Sequence, residues 1–219
     1  MSLSPRIVVF DLDVTLTEYD TFVPFIVGYL RHHRKRRSLE LWRLPLSLLK
    51  FWRWRDRTWV KTMVLRAFVG GEPRKRVEAW SDRFVDNLLD DAMREQGLEQ
   101  LRRYQSQGVR VILASASFDV YVERIAAKLG IDEVLSTRVA WSSRGRLVGM
   151  DGMNCRDDEK LRRVKALQDM PSDGTGVAAY SDSHADLPLL SWVEHGVAVC
   201  PSKRLFHQVG GLGLDVVRW

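Results

Sequence analysis

Short apolar runs that end in polar side chains alternate along this chain with stretches of helical periodicity. The first run, residues 8–10, ends at Asp11, and a second, residues 109–114, ends in small hydroxyl residues. A third, residues 177–180, is followed closely by Asp182. Runs of this length are typical of strands that are buried on both faces. Their polar ends would meet at the carboxyl edge of a parallel sheet, so the pattern predicts an α/β protein with its chemistry at that edge.

A long gap separates the first strand from the second. About a hundred residues lie between them, and residues 74–104 within this gap carry apolar side chains at spacings of three or four. A chain of 219 residues, of which 45% are hydrophobic, is long enough for one buried core and a modest insertion. We therefore expect a core formed by residues 1–16 and 105–219, with a helical insertion over residues 17–104.

Two pairs of acids follow predicted strands. Asp11 and Asp13 come directly after the first strand, and Asp182 and Asp186 follow the third. If a turn or helix begins after Asp182, the spacing of the second pair brings both carboxylates toward one pocket, as a hard divalent cation with oxygen ligands requires. Taken alone, acids at these places are also typical of solvated loops and helix caps.

A serine and a lysine occupy further candidate positions. Ser115 lies where the second apolar run leads into a helical pattern, and hydroxyls and free backbone N–H groups at a helix start bind phosphate well. Lys160 begins another helical pattern, directly after three acidic residues. An ordinary serine cap and a solvated lysine are the alternative interpretations.

The order of these motifs, acid pair, serine, lysine and acid pair, resembles the haloacid dehalogenase superfamily of aspartate-nucleophile phosphohydrolases. The motifs span Asp11 to Asp186, which is most of the chain. The resemblance implies a Rossmann-like α/β core with a central parallel sheet. The insertion resembles the helical type I cap of the phosphoserine phosphatase-like subgroup, in which the cap closes over the active site and selects the leaving group.

The resemblance implies that Asp11 is the nucleophile and that Asp13 is first the general acid and then the general base. A phosphomonoester dianion repels a carboxylate, so cationic groups must neutralise the phosphoryl oxygens before Asp11 can approach phosphorus. Attack by Asp11 would give an aspartyl-phosphate and divide a difficult hydrolysis into two easier steps.

The other motif residues would bind phosphate and metal. The resemblance implies that Ser115, Ala116 and Lys160 hold the phosphoryl oxygens. It implies that Mg²⁺ is bound by Asp182 together with the carboxylate of the nucleophile and the main-chain carbonyl of the general acid. Asp186 would belong to the metal shell or orient Lys160.

Positive charge is concentrated in the insertion. Residues 31–76 contain 15 Lys and Arg against 3 Asp and Glu, whereas the whole chain carries a net charge of +6. Asp20, Arg53 and Arg55 are candidates in this region for contacts with substrate. Four of the eight tryptophans also lie there, mixed with Leu and Arg: Trp42, Trp52, Trp54 and Trp59.

This composition is typical of a segment that lies in the interface of an anionic membrane. No apolar stretch reaches the roughly 18 to 20 residues that a spanning helix needs, so we expect peripheral contact only. Internal packing of the tryptophans in the cap, a dimer interface and a solvated basic face are alternatives. No recognised nucleic-acid module is present, and a nucleic-acid partner is not expected.

Details of the motifs discriminate between subgroups. Where phosphoserine phosphatases typically have Ser, Glu and Ser-Gly-Gly, this chain has Val14, Asp20 and the Ser-Ala-Ser of residues 115–117. Residues 180–190, and the Asn-Cys at residues 154–155, more closely resemble phosphatidylglycerophosphatase C-like proteins. That resemblance implies a lipid substrate such as phosphatidylglycerophosphate. A soluble phosphorylated metabolite, including one like phosphoserine, is the alternative, and a non-catalytic protein of the same fold is a third.

The remaining features add little. Residues 134–150 predict a hairpin around the turn at residues 142–145. His184 lies between two acids, where a helix-surface position and a contact with substrate are both open. Two cysteines are too few for a disulfide framework and fit a reduced compartment, and the chain starts without a signal peptide. We therefore expect a cytoplasmic protein, with a peripheral position on the inner face of the membrane as a further expectation.

Overall fold

A seven-stranded sheet forms the centre of the computed structural model, which describes residues 5–33 and 57–219. The order of the strands is β4-β3-β2-β1-β5-β6-β7, and all neighbours are parallel except β3 and β4. The predicted α/β class with a central parallel sheet is confirmed. The strands are β1 Ile7–Phe10, β2 Arg110–Phe118, β3 Glu133–Trp141, β4 Leu147–Asp151, β5 Val177–Ser181, β6 His195–Val199 and β7 Asp215–Val217.

Helices cover both faces of this sheet. Four of the described helices, α1 to α4, lie between β1 and β2 in the chain, and the others follow the pattern of a doubly wound sheet. A 3₁₀ turn, His184–Asp186, precedes α7. The helices are α1 Phe22–His32, α2 Arg57–Phe68, α3 Arg74–Asp91, α4 Glu95–Ser106, α5 Asp119–Lys128, α6 Asp158–Lys165, α7 Leu187–Trp192 and α8 Lys203–Leu212.

Strand β1 lies at the middle of the sheet because it is apolar on both faces. Val8 and Phe10 belong to one buried cluster and Ile7 and Val9 to the other. A strand buried on both sides needs an unbroken apolar run rather than alternation, which is the pattern of residues 7–10. The chain therefore delivers the residues that follow β1 to the middle of the carboxyl edge.

The helical pattern of residues 74–104 is divided in two. The break lies between α3 and α4, where Met93 pairs with Thr17 in an isolated antiparallel bridge and the N–H of Arg94 donates to the carbonyl of Leu16. These contacts satisfy backbone groups that a continuous helix would use internally. Helix α4 packs on β2 of the sheet. The division into a core and a cap stays a prediction.

Aromatic side chains join α1 and α3 to α5. The ring of Phe25 on α1 lies with its centroid 4.6 Å from that of Tyr121 on α5 and 5.2 Å from that of Phe84 on α3. Trp80 on α3 is buried in the same cluster, whereas Trp59 on α2 is 46% exposed. The other three tryptophans that we singled out, Trp42, Trp52 and Trp54, lie outside the described residues.

The hairpin predicted around residues 142–145 is confirmed as β3 and β4, and the insertion is bonded to it. The N–H of Gly71 donates to the carbonyl of Leu147 at 2.8 Å, and the N–H of Leu147 donates to the carbonyl of Glu72 at 3.0 Å. The N–H of Arg74 donates to the carbonyl of Gly145 at 2.8 Å. The turn between α2 and α3 is thus attached to the start of β4 through the backbone.

Candidate active site

The acid that follows β1 is bonded to the lysine at the start of α6. The Nζ atom of Lys160 donates to Oδ1 of Asp11 at 2.8 Å and to Oδ2 of Asp186 at 2.6 Å. The hydroxyl of Ser181 donates to the same oxygen of Asp186 at 2.6 Å. All four side chains are buried. A lysine is rarely fully buried unless its charge is paired, so these two carboxylates stabilise Lys160 inside the protein.

Several carboxyl groups lie close together in this site. Burial raises the pKa of Asp11 well above its usual range, and neighbouring carboxylates raise it further while Lys160 opposes them. Burial alone would lower the pKa of Lys160, but Asp11 and Asp186 outweigh it and raise that pKa, so the ammonium stays charged. Burial, followed by the charge of Asp186, raises the pKa of Asp182 to about 7. A bound cation would relieve this repulsion.

Thr15 connects the two loops that carry acids. Its hydroxyl donates to Oδ2 of Asp11 at 3.4 Å and accepts a hydrogen bond from the backbone N–H of Asp182 at 3.0 Å. The loop after β1 and the loop after β5 are therefore held side by side. This is the arrangement that the parallel pairing of β1 and β5 predicts for their carboxyl ends.

A cavity of about 200 Å³ opens at this edge of the sheet. Five carboxylates and three cationic side chains line it, so its wall carries two more negative than positive charges. Both members of the second acid pair line the cavity, and their role at a cation stays a prediction. The charged lining residues are Asp11, Asp13, Asp20, Asp182, Asp186, Lys61, Arg156 and Lys160.

The loop after β1 turns sharply at Val14, whose φ is +62°. A β-branched residue in this left-handed region is strained, and such strain persists only where the surroundings fix the backbone. The N–H of Val14 donates to Oγ1 of Thr17 at 3.2 Å, and Nε of Arg94 donates to the carbonyls of Val14 and Thr17, also at 3.2 Å. The turn directs the Asp13 side chain toward the cavity.

The carboxylate of Asp13 is held by two residues that sequence patterns did not reveal. Oδ1 accepts hydrogen bonds from the backbone N–H of Thr21 at 2.7 Å and from its hydroxyl at 2.6 Å. Oδ2 accepts one from the hydroxyl of Ser117 at 2.6 Å. Thr21 immediately precedes α1, whereas Ser117 lies in β2, so residues distant in sequence meet at Asp13.

The two predicted phosphate-binding residues on β2 are placed differently. Ser115 is fully buried and does not occur among the described residues that line the cavity. Its Oγ accepts a hydrogen bond from the N–H of Ser117 at 3.0 Å and lies 3.5 Å from Oδ2 of Asp13. Ala116 lines the cavity, and its carbonyl accepts a hydrogen bond from the hydroxyl of Thr137 at 2.8 Å.

Lys61 on α2 is the cation that the insertion contributes to this cavity. Its Nζ donates to the carbonyl of Ala116 at 2.6 Å and lies 5.0 Å and 4.9 Å from the ring centroids of Phe22 and Phe118. Burial lowers the pKa of Lys61 to about 8. We did not predict this residue, because nothing local distinguishes it from the 14 other Lys and Arg residues of the basic region.

Of the remaining candidates, Asp20 lines the cavity and is exposed, which places it at the mouth. Its Oδ1 accepts a hydrogen bond from the N–H of Phe22 at 3.0 Å. The cavity wall partly shields its carboxyl from water, and this shielding, followed by the charge of Asp13, raises its pKa. Arg53 and Arg55 lie outside the described residues. The sequence left the role of His184 open; it lies in the 3₁₀ turn and is absent from the described lining of the cavity.

In this α/β sheet an acid pair follows the middle strand, and a lysine is held between two acids. This combination defines a class of α/β phosphatases. Comparison with known families agrees. The chain belongs to the haloacid dehalogenase-like hydrolases, whose family model matches residues 8–191. Family membership and relatives that are named as phosphatases show that the protein is a phosphatase. Phosphatases of this family generally use Mg²⁺.

Relatives and solved structures cover much of the chain. Protein CicA of Caulobacter vibrioides is 30% identical over 192 residues, which are 87% of this chain and 84% of that protein. Phosphoserine phosphatase SerB1 of Mycobacterium tuberculosis is 29% identical over 143 residues, 64% of this chain and 46% of that protein. A solved protein of unknown function from Bordetella pertussis Tohama I has the same fold, with a TM-score of 0.80, 23% identity and coverage of 98% and 99%.

Proposed function

We propose that this protein is a Mg²⁺-dependent phosphomonoesterase that forms an aspartyl-phosphate on Asp11. The observation that carries the proposal is the contact of Lys160 with both Asp11 and Asp186 at the wall of the cavity. An ammonium group held beside the attacking carboxylate is placed to neutralise the phosphoryl oxygens as they approach. In this proposal Asp186 is the residue that orients Lys160.

In the first half-reaction, a carboxylate oxygen of Asp11 attacks phosphorus and the bond from phosphorus to the ester oxygen breaks. The electron pair of that bond stays with the ester oxygen, which takes a proton from Asp13 and leaves as an alcohol. Lys160 and the backbone at Ala116 hold the phosphoryl oxygens. Ser115 supports this part of β2 through its bond to the Ser117 N–H.

In the second half-reaction, a water molecule attacks the phosphorus of the aspartyl-phosphate. Asp13, now a carboxylate, takes a proton from this water, and the bond from phosphorus to the Asp11 oxygen breaks. Inorganic phosphate leaves and both aspartates return to their starting states. The sum is one phosphate ester and one water converted to one alcohol and one phosphate.

The residues around Asp11 fit a magnesium ion. The carboxylates of Asp11 and Asp182 and the main-chain carbonyl of Asp13 would hold it, since all three offer the hard oxygen donors that Mg²⁺ prefers. Over residues 5–33 and 57–219, no group of three His, Cys, Asp or Glu side chains forms a metal site. When bound, Mg²⁺ would reduce the repulsion between the phosphate dianion and the carboxylates.

The leaving group would face the side of the cavity that the insertion forms. Val60, Lys61, Phe22 and Asp20 line that side. Lys61 is the cation there, and it lies near enough to the acids that Asp13 and Asp20 affect its pKa. A leaving group with a negative or strongly polar substituent would match this surface.

Among such esters we favour a membrane lipid with a terminal phosphate, such as phosphatidylglycerophosphate. A cavity of about 200 Å³ would admit a phosphorylated head group but leave acyl chains outside. Four exposed apolar side chains lie in the described part of the insertion: Tyr19, Val23, Val27 and Trp59. Together with the basic residues 31–76, they would suit peripheral attachment to an anionic membrane on its cytoplasmic face.

Within the described ranges, no helix combines the length and the apolar character that crossing a bilayer requires. In this proposal the insertion lies on the membrane surface. Arg53 and Arg55 are included in this proposal only because they lie in the basic region of the sequence.

A soluble phosphorylated metabolite is the second candidate substrate. The identity of 29% to a protein named phosphoserine phosphatase favours it. The burial of Trp80 shows that one aromatic residue of the insertion is used for internal packing. In this case Lys61 would face a small anionic leaving group.

The experiment is an assay of phosphate release with and without Mg²⁺, on phosphatidylglycerophosphate in mixed micelles and on a soluble panel that includes phosphoserine. The variant Asp11→Asn is the blank. Mg²⁺-dependent activity that the variant lacks supports the mechanism, and a preference for the lipid supports the first substrate. Equal phosphate release by the variant would remove Asp11 as the nucleophile.

A second measurement tests the membrane contact. We expect the protein to co-sediment with vesicles that contain phosphatidylglycerol and not with vesicles of phosphatidylcholine alone. Replacing Arg34 to Arg37 by neutral residues should weaken that binding. Binding that is absent on anionic vesicles, or that neutralisation leaves unchanged, would contradict the membrane proposal.

A further inference from the structure

We infer that Thr21 positions the carboxylate of Asp13 for proton transfer to the leaving group and thereby links this acid to the first helix of the insertion. The inference rests on the proposed function, in which Asp13 is the general acid. Thr21 is fully buried and lies at the junction between the loop after β1 and α1.

The contact between the two residues is double. The backbone N–H and the hydroxyl of Thr21 both donate to Oδ1 of Asp13, at 2.7 Å and 2.6 Å. One donor fixes the distance of a carboxylate oxygen but allows the group to rotate. A second donor from a different direction removes that freedom, so Thr21 determines which way the carboxylate of Asp13 faces.

The other oxygen of Asp13 faces hydroxyl groups. Oδ2 accepts a hydrogen bond from Ser117 at 2.6 Å, and Oγ of Ser115 lies 3.5 Å away. A hydroxyl can donate to a carboxylate and can also accept from a carboxylic acid. This side of Asp13 is therefore compatible with both forms that the proposed reaction requires, while the N–H of Thr21 holds Oδ1.

Tyr121 determines the orientation of Thr21. Its hydroxyl oxygen lies 3.2 Å from Oγ1 of Thr21, and the Tyr121 side chain is fully buried on α5 of the core. Thr21 has one hydroxyl hydrogen, for which Oδ1 of Asp13 at 2.6 Å and the hydroxyl oxygen of Tyr121 at 3.2 Å compete, and the shorter contact is the one with Asp13. One turn further along α1, Phe25 packs on the ring of the same tyrosine. The start of α1 is thus fixed on both the polar and the apolar side.

This arrangement makes Thr21 a positioning residue. Helix α1 cannot shift relative to β1 without moving the two donors that hold Asp13. The efficiency of protonation should therefore depend on the place of the insertion as well as on the core. Attack by Asp11 should not, because the contacts of Asp11 described above come from Lys160 and Thr15.

The test compares two leaving groups in the variants Thr21→Val and Thr21→Ser. An alkyl phosphate needs a proton on its leaving oxygen, whereas p-nitrophenyl phosphate releases a stable anion. We expect Thr21→Val to lower the single-turnover rate of alcohol release from the alkyl ester about 10- to 100-fold, part of the usual effect of a general acid. The single-turnover rate of p-nitrophenol release should change less than about threefold, because that step needs no proton from Asp13, and Thr21→Ser should restore the alkyl rate.

Two controls separate this inference from the proposed function. Asp13→Asn should show the same selective loss to a larger extent, and Thr62→Val, on α2 and away from Asp13, should show none. If Asp13→Asn keeps its activity on the alkyl ester, the role of Asp13 is wrong and the inference falls with it. If Asp13→Asn shows the selective loss and Thr21→Val either matches the wild type or loses both activities equally, Thr21 does not position the acid.

Discussion

The Nζ atom of Lys160 lies 2.6 Å from Oδ2 of Asp186, in a contact that is buried on both sides. The same oxygen accepts the hydroxyl hydrogen bond of Ser181. Asp186 is therefore the second charged partner of the lysine, beside Asp11. Without it the ammonium would keep a single charged partner and a wider choice of positions.

We expect Asp186→Asn to lower kcat by about 10- to 100-fold, as is common when the partner of a directly acting group is removed. An amide of the same shape preserves packing but loses the charge that orients Lys160. Steady-state kinetics measure the change, with Asp158→Asn, an exposed acid on the same helix as Lys160, as the matched control. Equal activity of Asp186→Asn and wild type would show that Asp11 alone positions the lysine.

The stability of the metal-free protein should fall as pH rises from about 4 to about 7. The carboxyl of Asp182 has a pKa of about 7 in the folded protein, against about 4 in an unfolded chain. Between these values the folded state binds more protons, so the free energy of unfolding decreases as pH rises. The full shift corresponds to about 4 kcal/mol, and partial exposure of the side chain reduces this to about 2 kcal/mol.

Thermal unfolding with and without Mg²⁺ measures this effect. Asp182→Asn should reduce the slope in the metal-free protein, and the raised pKa of Asp11 leaves a remaining slope of the same sign. Mg²⁺ should raise Tm more at pH 8 than at pH 5.5 because its ligand is then ionised. A slope that is the same in Asp182→Asn and wild type would assign the titration to another group.

Replacing Val14 by glycine should stabilise the protein. At a φ of +62°, a β-branched residue is strained and glycine is not. We expect the free energy of unfolding to rise by about 1 kcal/mol. Val27→Gly, at an exposed position of α1, should instead lower it by about 0.5 kcal/mol. A loss of stability in Val14→Gly would mean that the side chain contributes more by packing than the turn costs.

Lys61 should determine preference among leaving groups. We expect Lys61→Met to raise KM about tenfold for an ester with a negatively charged leaving group, since one charge-assisted bond is lost. The KM for an ester with a neutral leaving group should change less than about threefold. The pKa of about 8 implies that wild-type KM for the anionic ester rises above pH 8 as the lysine loses its proton. Lys61→Arg should keep a low KM to higher pH. A uniform loss on both esters would contradict a role in selection.

Local sequence patterns predicted the strands and turns that depend on short stretches of the chain. Apolar runs located β1, β2 and β5, and turn residues located the β3–β4 hairpin. Asp11, Lys160, Asp182 and Asp186 were found because each follows a strand or begins a helix at one sheet edge.

The missed residues depend on contacts between distant parts of the chain. Thr21 meets Ser117 across 96 positions, and Lys61 meets Ala116 across 55. A threonine before a helix and a lysine in a basic region are ordinary in sequence, and only packing of the insertion on β2 gives them their places. The break before α4 has the same origin, because the bridge from Thr17 to Met93 is also a long-range contact.

The turn between α2 and α3 has a consequence for association between molecules. Strand β4 is the last strand on its side of the sheet, and an open strand edge is a template for pairing with another chain. Where β4 begins, the N–H and the carbonyl of Leu147 are hydrogen-bonded to Glu72 and Gly71, and the carbonyl of Gly145 accepts from Arg74. The segment that attaches the insertion to the core thus also shields the beginning of this border strand from aggregation.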